Sequence, residues 1–136
     1  MNFDSSTICA ISTAAGVGAI AVIRVSGEKA FPVVGQLFKR EAQFMDAKPN
    51  QAKYGEIYAE NRLIDQVIFV KFFAPHSYTG EDMVEISCHG SLYVQKKIVE
   101  LLLQCGCRLA EPGEFTMRAF MNKKMDLLQA EAVSDL

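Results

Sequence analysis

The chain has little net charge of either sign: 14 Lys and Arg stand against 16 Asp and Glu, a formal balance of −2. Proteins that read a phosphate backbone usually carry a basic surface, so this balance does not advertise nucleic-acid binding. Any contact with RNA would need a local basic patch or another domain. No apolar run approaches the roughly 20 residues needed to span a bilayer. Neither a secretory leader nor an Arg-rich, acid-poor presequence is evident, and the four cysteines (Cys9, Cys88, Cys105 and Cys107) require no pairing. A reducing cytoplasm is therefore the expected location. The Cys88-His89 and Cys105-Gly106-Cys107 spacings match no common zinc site. There is no phosphate-binding GxxxxGK loop followed by Ser or Thr, and no GxSxG nucleophile motif. These absences exclude a nucleotide site of the usual kind and make a self-contained hydrolase a poor fit.

What is present describes one domain. At 136 residues, half of them apolar, the chain can bury about two-thirds of its unfolded surface. Thr7–Ser12 and Ala19–Val25 read as strands. The loop between them contains Gly16-Val17-Gly18, but a β-branched run follows where a dinucleotide fingerprint demands a helix. Ser26-Gly27 is expected to cap a helix over about Glu28 to Phe38. A polar connector is expected over Ala42–Gln51, with a turn at Lys48-Pro49-Asn50. Ala52–Tyr58 and Ile64–Phe73 form a hairpin pattern. A loop over Ala74–Asp82 precedes a strand from Met83 to Cys88. Gly90-Ser91 opens a helix whose apolar face carries Val94, Ile98, Leu101, Leu102 and Cys105, stopping at Gly106. Arg108–Ala110 reads as a short extended piece, Phe115–Met121 as a short helix, and Asp126 as the cap of a final helix to Leu136. That last helix lacks a stop signal, which suggests that the chain is a fragment. The expected fold class is α+β, a mixed sheet with helices packed on it.

Three charges stand in awkward places. Arg24 interrupts an apolar strand, so its guanidinium must find an anion or the sheet edge. Glu85 lies between Val84 and Ile86, where an ionised carboxylate needs donors. Lys124 follows the short helix beside Lys123. The conservative reading is a structural Arg24–Glu85 ion pair with the two lysines solvated. The alternative is a small-molecule pocket offering one carboxylate and two cations. Such a set suits a flat heterocycle with an amidine-like donor edge and an anionic tail. His76 and His89 read as loop hydrogen-bonders rather than catalysts.

Three blocks, STICAISTAAGVGAIAVIRVSG, SYTGEDMVEISCHGS and PGEFTMRAFMNKKMDLLQAEAVSDL, occur in this order. Together they resemble the N-terminal part of the tRNA-modification GTPase family called MnmE or TrmE. The resemblance covers essentially the whole chain. It implies the fold of the folate-binding glycine-cleavage aminomethyltransferases, with residues 1–120 as a folate-binding and dimerisation domain and 121–136 as the start of a helical domain. It further implies a reduced folate, 5-formyl- or methylene-tetrahydrofolate, held by Arg24, Glu85 and Lys124, with Tyr78, Thr79 and Gly80 lining the pocket. A homodimer, the FAD-dependent partner MnmG (GidA), and tRNA modified at C5 of the wobble uridine, U34, belong to the same implication. The GTP site with its K+ and Mg2+, and the family's catalytic cysteine, would lie outside these residues, which would carry no catalytic residue of their own. The family's Pro-Pro-Gly reads Ala14-Ala15-Gly16 here, its Asn-Gly-Lys reads Asn122-Lys123-Lys124, and its second glycine after His89 is Ser91, which suits a helix cap. Two other functions compete: a purely structural dimerisation module, and a stand-alone aminomethyltransferase-like enzyme.

Overall fold

The structure is a computed structural model that describes residues 5–13 and 18–122. Ten elements follow one another: β1 (Ile8–Ile11), β2 (Ile20–Ser26), α1 (Ala30–Gly35), α2 (Glu41–Asp46), β3 (Lys53–Ala59), β4 (Arg62–Phe72), β5 (Met83–His89), α3 (Leu92–Gln104), β6 (Arg108–Leu109) and α4 (Glu114–Met121). The strands form one sheet in the order β3-β4-β5-β2-β1-β6. Every neighbouring pair is antiparallel except β1 and β6, so the sheet is mixed and the fold is α+β.

Strand alternation divides the sheet into two unlike faces. Ala21, Ile23 and Val25 of β2, Val84, Ile86 and Cys88 of β5, and Val67 and Phe69 of β4 are buried in one core. Ile98 and Leu102 of α3, and Val33 and Val34 of α1, close over that face. The in-between residues point the other way. Val22, Arg24, Glu85, Ser87 and Val70 are half-buried there, and Ile68 is exposed. No described helix is long and apolar enough to cross a membrane.

The hairpin joining β3 and β4 turns on Glu60 and Asn61, both at positive φ (52° and 63°), the backbone of a tight type I′ turn. Ser91 caps α3, its side chain accepting a hydrogen bond from the Val94 N–H at 3.2 Å. Cys9 and Cys88 are buried among the strands as small hydrophobes. Burial pushes the Cys88 thiol up to about 11. The Cys9 and Cys107 thiols share a hydrogen bond, which lowers the pKa of Cys9 and raises that of Cys107.

Two helical expectations change. The first helix is shorter than Glu28–Phe38, and Ser26 does not cap it. Ser26 ends β2 with its hydroxyl bonded to Thr79 and Glu81. The hydroxyl of Thr7, entering β1, instead accepts from the Lys29 N–H at 3.0 Å. Gly27 makes this docking feasible: its φ is +143°, and a Cβ there would stand 2.6 Å from the Thr7 Cα. The second change is α2, which occupies the expected polar connector. A single apolar anchor holds it, Phe44, stacked on Phe38 at 5.0 Å between centroids and tilted against Phe69 at 4.9 Å. The tail of α1 also runs along β3. Lys39 N donates to Glu56 O at 2.9 Å and Tyr58 N to Leu37 O at 3.0 Å, covering an otherwise open sheet edge.

Candidate functional site

Arg24 and Glu85 are register partners on the antiparallel pair β2–β5. Both face away from α1 and α3, and their direct pairing fixes the side chains within reach of each other. The Arg24 Nε donates to Glu85 Oε2 at 2.7 Å. The side chains stay 35% and 28% exposed, so the pair is open to a ligand. Among the described residues, the hydrogen bond from Nε is the only one made by either side chain. The two terminal guanidinium nitrogens and Oε1 thus remain as donors and acceptor on the solvent side. Tyr78 lies over the guanidinium, its ring centroid 5.8 Å from the Arg24 Cζ, within cation–π range.

The loop after β4 delivers Tyr78, and a polar network holds this loop. Thr79 is fully buried; its hydroxyl pairs with Ser26 Oγ at 2.7 Å and accepts from the Glu81 N–H at 3.2 Å. Thr79 therefore supports the wall rather than lining it. Gly80 turns the loop at φ +85°. The Tyr78 hydroxyl shares a hydrogen bond with Thr116 Oγ1 at 2.9 Å, tying the ring to α4.

Arg118 of α4 is the anchor of this arrangement, and its side chain is fully buried. It donates to Glu81 Oε1 and Oε2 at 3.0 and 3.3 Å, to Ser6 O at 2.6 Å and to Glu114 Oε2 at 3.1 Å. Glu114 also receives a two-bond fork from Arg108, at 3.0 and 2.7 Å. Burial alone would raise the Glu114 carboxyl; the Arg108 hydrogen bonds, the Glu111 N–H and the Arg108 and Arg118 charges more than offset it and hold the pKa low. Sequence reasoning passed over Arg118, Glu81 and Glu114. A signal existed in the i, i+4 spacing of Glu114 and Arg118 on one short helix.

Lys71 was also missed. Its ammonium is buried, donating to Phe44 O and Met45 O at 2.9 Å each. Three rings surround it, with the Phe31, Phe44 and Phe73 centroids 4.8, 5.0 and 5.4 Å away. Burial lowers its pKa, and the charges of Asp46 and Asp82 pull it back up. The ammonium binds the last carbonyls of α2, so Lys71 stabilises that helix end. His89 bonds Asp65, Nδ1 to Oδ1 at 2.6 Å, at the far end of β5 from Tyr78. Lys124 lies outside the described residues, as do residues 123–136 as a whole, so the third expected contact and the final helix have no described position. The described residues hold no cluster of three or more His, Cys, Asp or Glu suited to a metal ion.

The described residues form an α+β domain on one mixed sheet, with a half-buried arginine–carboxylate pair beside an aromatic ring. Residues 7–124 match the family described as GTP-binding protein TrmE N-terminus, and the chain belongs to that family. It is 54% identical to the tRNA modification GTPase MnmE of Porphyromonas gingivalis, across 99% of this chain and 29% of that protein. It is 56% identical to the protein of that name from Parabacteroides distasonis across 96% of this chain, and 52% identical to that of Bacteroides fragilis strain ATCC 25285 across 100% of this chain. The chain spans 29% of the length of each of these relatives.

Proposed function

We propose that this chain is the folate-binding, dimer-forming N-terminal domain of a GTP-hydrolysing, tRNA-modifying protein, spanning residues 1–120, with 121–136 beginning a helical domain. The names of the relatives support the tRNA-modifying GTPase reading. The observation that carries the folate reading is the Arg24–Glu85 pair, held together yet a third exposed, with most of its polar atoms unused. Its chemistry fits a reduced folate such as 5-formyl- or methylene-tetrahydrofolate. A pterin presents parallel N–H donors that one carboxylate can accept, and a glutamate tail suits arginine or lysine. Glu85 takes the pterin edge, Arg24 and Lys124 serve the rest of the molecule, and Tyr78 supplies an apolar wall.

Bound folate supplies a one-carbon unit for modification at C5 of the wobble uridine, U34, of tRNA. The chain works as a homodimer, in the cytoplasm, with the FAD-dependent MnmG (GidA). GTP with K+ and Mg2+ is handled by a G domain outside these residues.

Calorimetric titration of 5-formyl-tetrahydrofolate tests the reading. Wild-type protein is expected to give saturable heat, and Glu85→Ala to lose it while sedimenting as the same dimer. Absence of heat with wild type, at ligand well above about 100 μM (−5.5 kcal/mol or weaker), would overturn folate binding. The direct 2.7 Å ion pair favours one second reading, a structural dimerisation module in which the two charges serve only each other. In that case Glu85→Ala would lower stability and change no ligand affinity.

A further inference from the structure

On the helix-covered side of the sheet, at its β3 edge, lies a groove of about 700 Å3 between α2, the segment after α1, and the start of β3. Its rim carries Lys39, Arg40, Lys48 and Lys53, with Asp46 and Glu56 also among the lining residues. A chain with a net charge of −2 has thus gathered 4 of its 14 cations around one depression. Strand alternation sharpens the imbalance. Lys53 is in register with Phe69 on the groove face, whereas Glu56 pairs with Gln66 on the other face. Arg40, Lys48 and Lys53 are exposed, and their side chains make no hydrogen bond or ion pair with any described residue. Lys39 rests on the Tyr58 ring at 5.0 Å.

The floor is firm. Phe38, Phe44 and Phe69 pack ring against ring beneath the rim, with centroids 4.9–5.0 Å apart. Gln43 and Gln51 add exposed amides at the lip. An amide both donates and accepts, which suits a ribose 2′-hydroxyl. Arg24 and Glu85 stand on the opposite face of the sheet, so this groove is separate from the pair proposed to hold folate.

We infer that this groove is where the domain holds RNA, gripping a phosphodiester segment of the tRNA substrate with Arg40, Lys48 and Lys53. The inference rests on the proposed tRNA-modifying role and adds a contact surface to it. A local basic patch is what an otherwise acidic chain needs to approach a polyanion. Because the contacts are to phosphate, they position the RNA without reading its sequence.

Fluorescence anisotropy of labelled tRNA, titrated with the full-length protein at several KCl concentrations, tests this. Arg40→Ala/Lys48→Ala/Lys53→Ala should weaken binding ~10–100-fold near 0.1 M salt, and the log K against log[salt] slope should become shallower by about 2. A control with the same charge change elsewhere, Lys29→Ala/Arg62→Ala/Lys96→Ala, should move affinity less than about threefold. Should the triple variant misfold by thermal melting, the single reversal Lys48→Glu provides the same comparison. An unchanged salt slope in the groove variant, or an equal loss in the control, would overturn the groove as the site. Wild-type protein without affinity for tRNA would overturn both the groove and the tRNA role, whereas a failed folate titration leaves the groove standing.

Discussion

Replacing Arg118 by leucine removes the cation that joins α4 to the loop beside the candidate site. The guanidinium is fully buried and meets two carboxylates, Glu81 and Glu114, that are 16% and 13% exposed. Their fates differ once it is gone. Glu114 keeps the two-bond fork from Arg108. Glu81 keeps only the Ser26 hydroxyl among its side-chain partners. Breaking a buried pair by deleting one partner costs about 3–5 kcal/mol, chiefly because the remaining charge has lost its compensation. With one carboxylate still paired, the lower end applies, so about 3 kcal/mol is expected. In a domain with a total stability of about 5–15 kcal/mol, this corresponds to a fall in Tm on the order of 10 °C. Urea unfolding should show the lower midpoint with an unchanged slope. The diagnostic measurement is the double-mutant cycle. In a Glu81→Gln background the same leucine should cost only about 1 kcal/mol, because a neutral amide needs no cation, giving a coupling near 2 kcal/mol. A cost below about 1 kcal/mol in the wild-type background, or an equal cost in both, would refute the argument that Arg118 neutralises a buried Glu81.

Two further outcomes follow from the packing and the electrostatics. Glu114 has a lowered pKa in the folded chain, so the stability it contributes is present in full above its unfolded pKa and disappears as pH falls through the lowered folded value. Urea midpoints measured from pH 6 to 3 should therefore drop less steeply in Glu114→Gln than in wild type; parallel curves would show that the group does not drive the acid loss. Gly55→Ala should destabilise by about 1–3 kcal/mol through overpacking, since its Cβ would stand 2.3 Å from Phe38 Cε1 and 3.2 Å from Phe69 Cε1. A thermal midpoint at or above wild type would mean that the aromatic floor of the groove yields freely.

Much of the architecture was legible in the chain itself. β-Branched runs with alternating burial marked β2, β4 and β5. Glu60-Asn61 between two such runs marked the hairpin, and Ser91 with Gly106 bracketed α3. The paired charges were legible too, because Arg24 and Glu85 each break an apolar strand, although their being direct neighbours depends on the β2–β5 register. Helix α2 was not legible. Its polar sequence has one buried side chain, Phe44, and that side chain finds its partners on α1's tail and on β4.

Sequence alone therefore settled the class of fold, most strand and helix positions and two of the charges at the candidate site, since these rest on local periodicity, turn chemistry and caps. Tertiary structure alone decided which other charges are buried and which cations gather. Lys71 and Arg118 would each pass for solvent-facing residues, yet each is enclosed by groups remote in the chain: Phe44 and Met45 carbonyls for one, Ser6 and Glu81 for the other. The physical reason is that desolvating a cation is costly unless donors find acceptors, and here those acceptors converge only when the sheet, the loop and α4 have assembled.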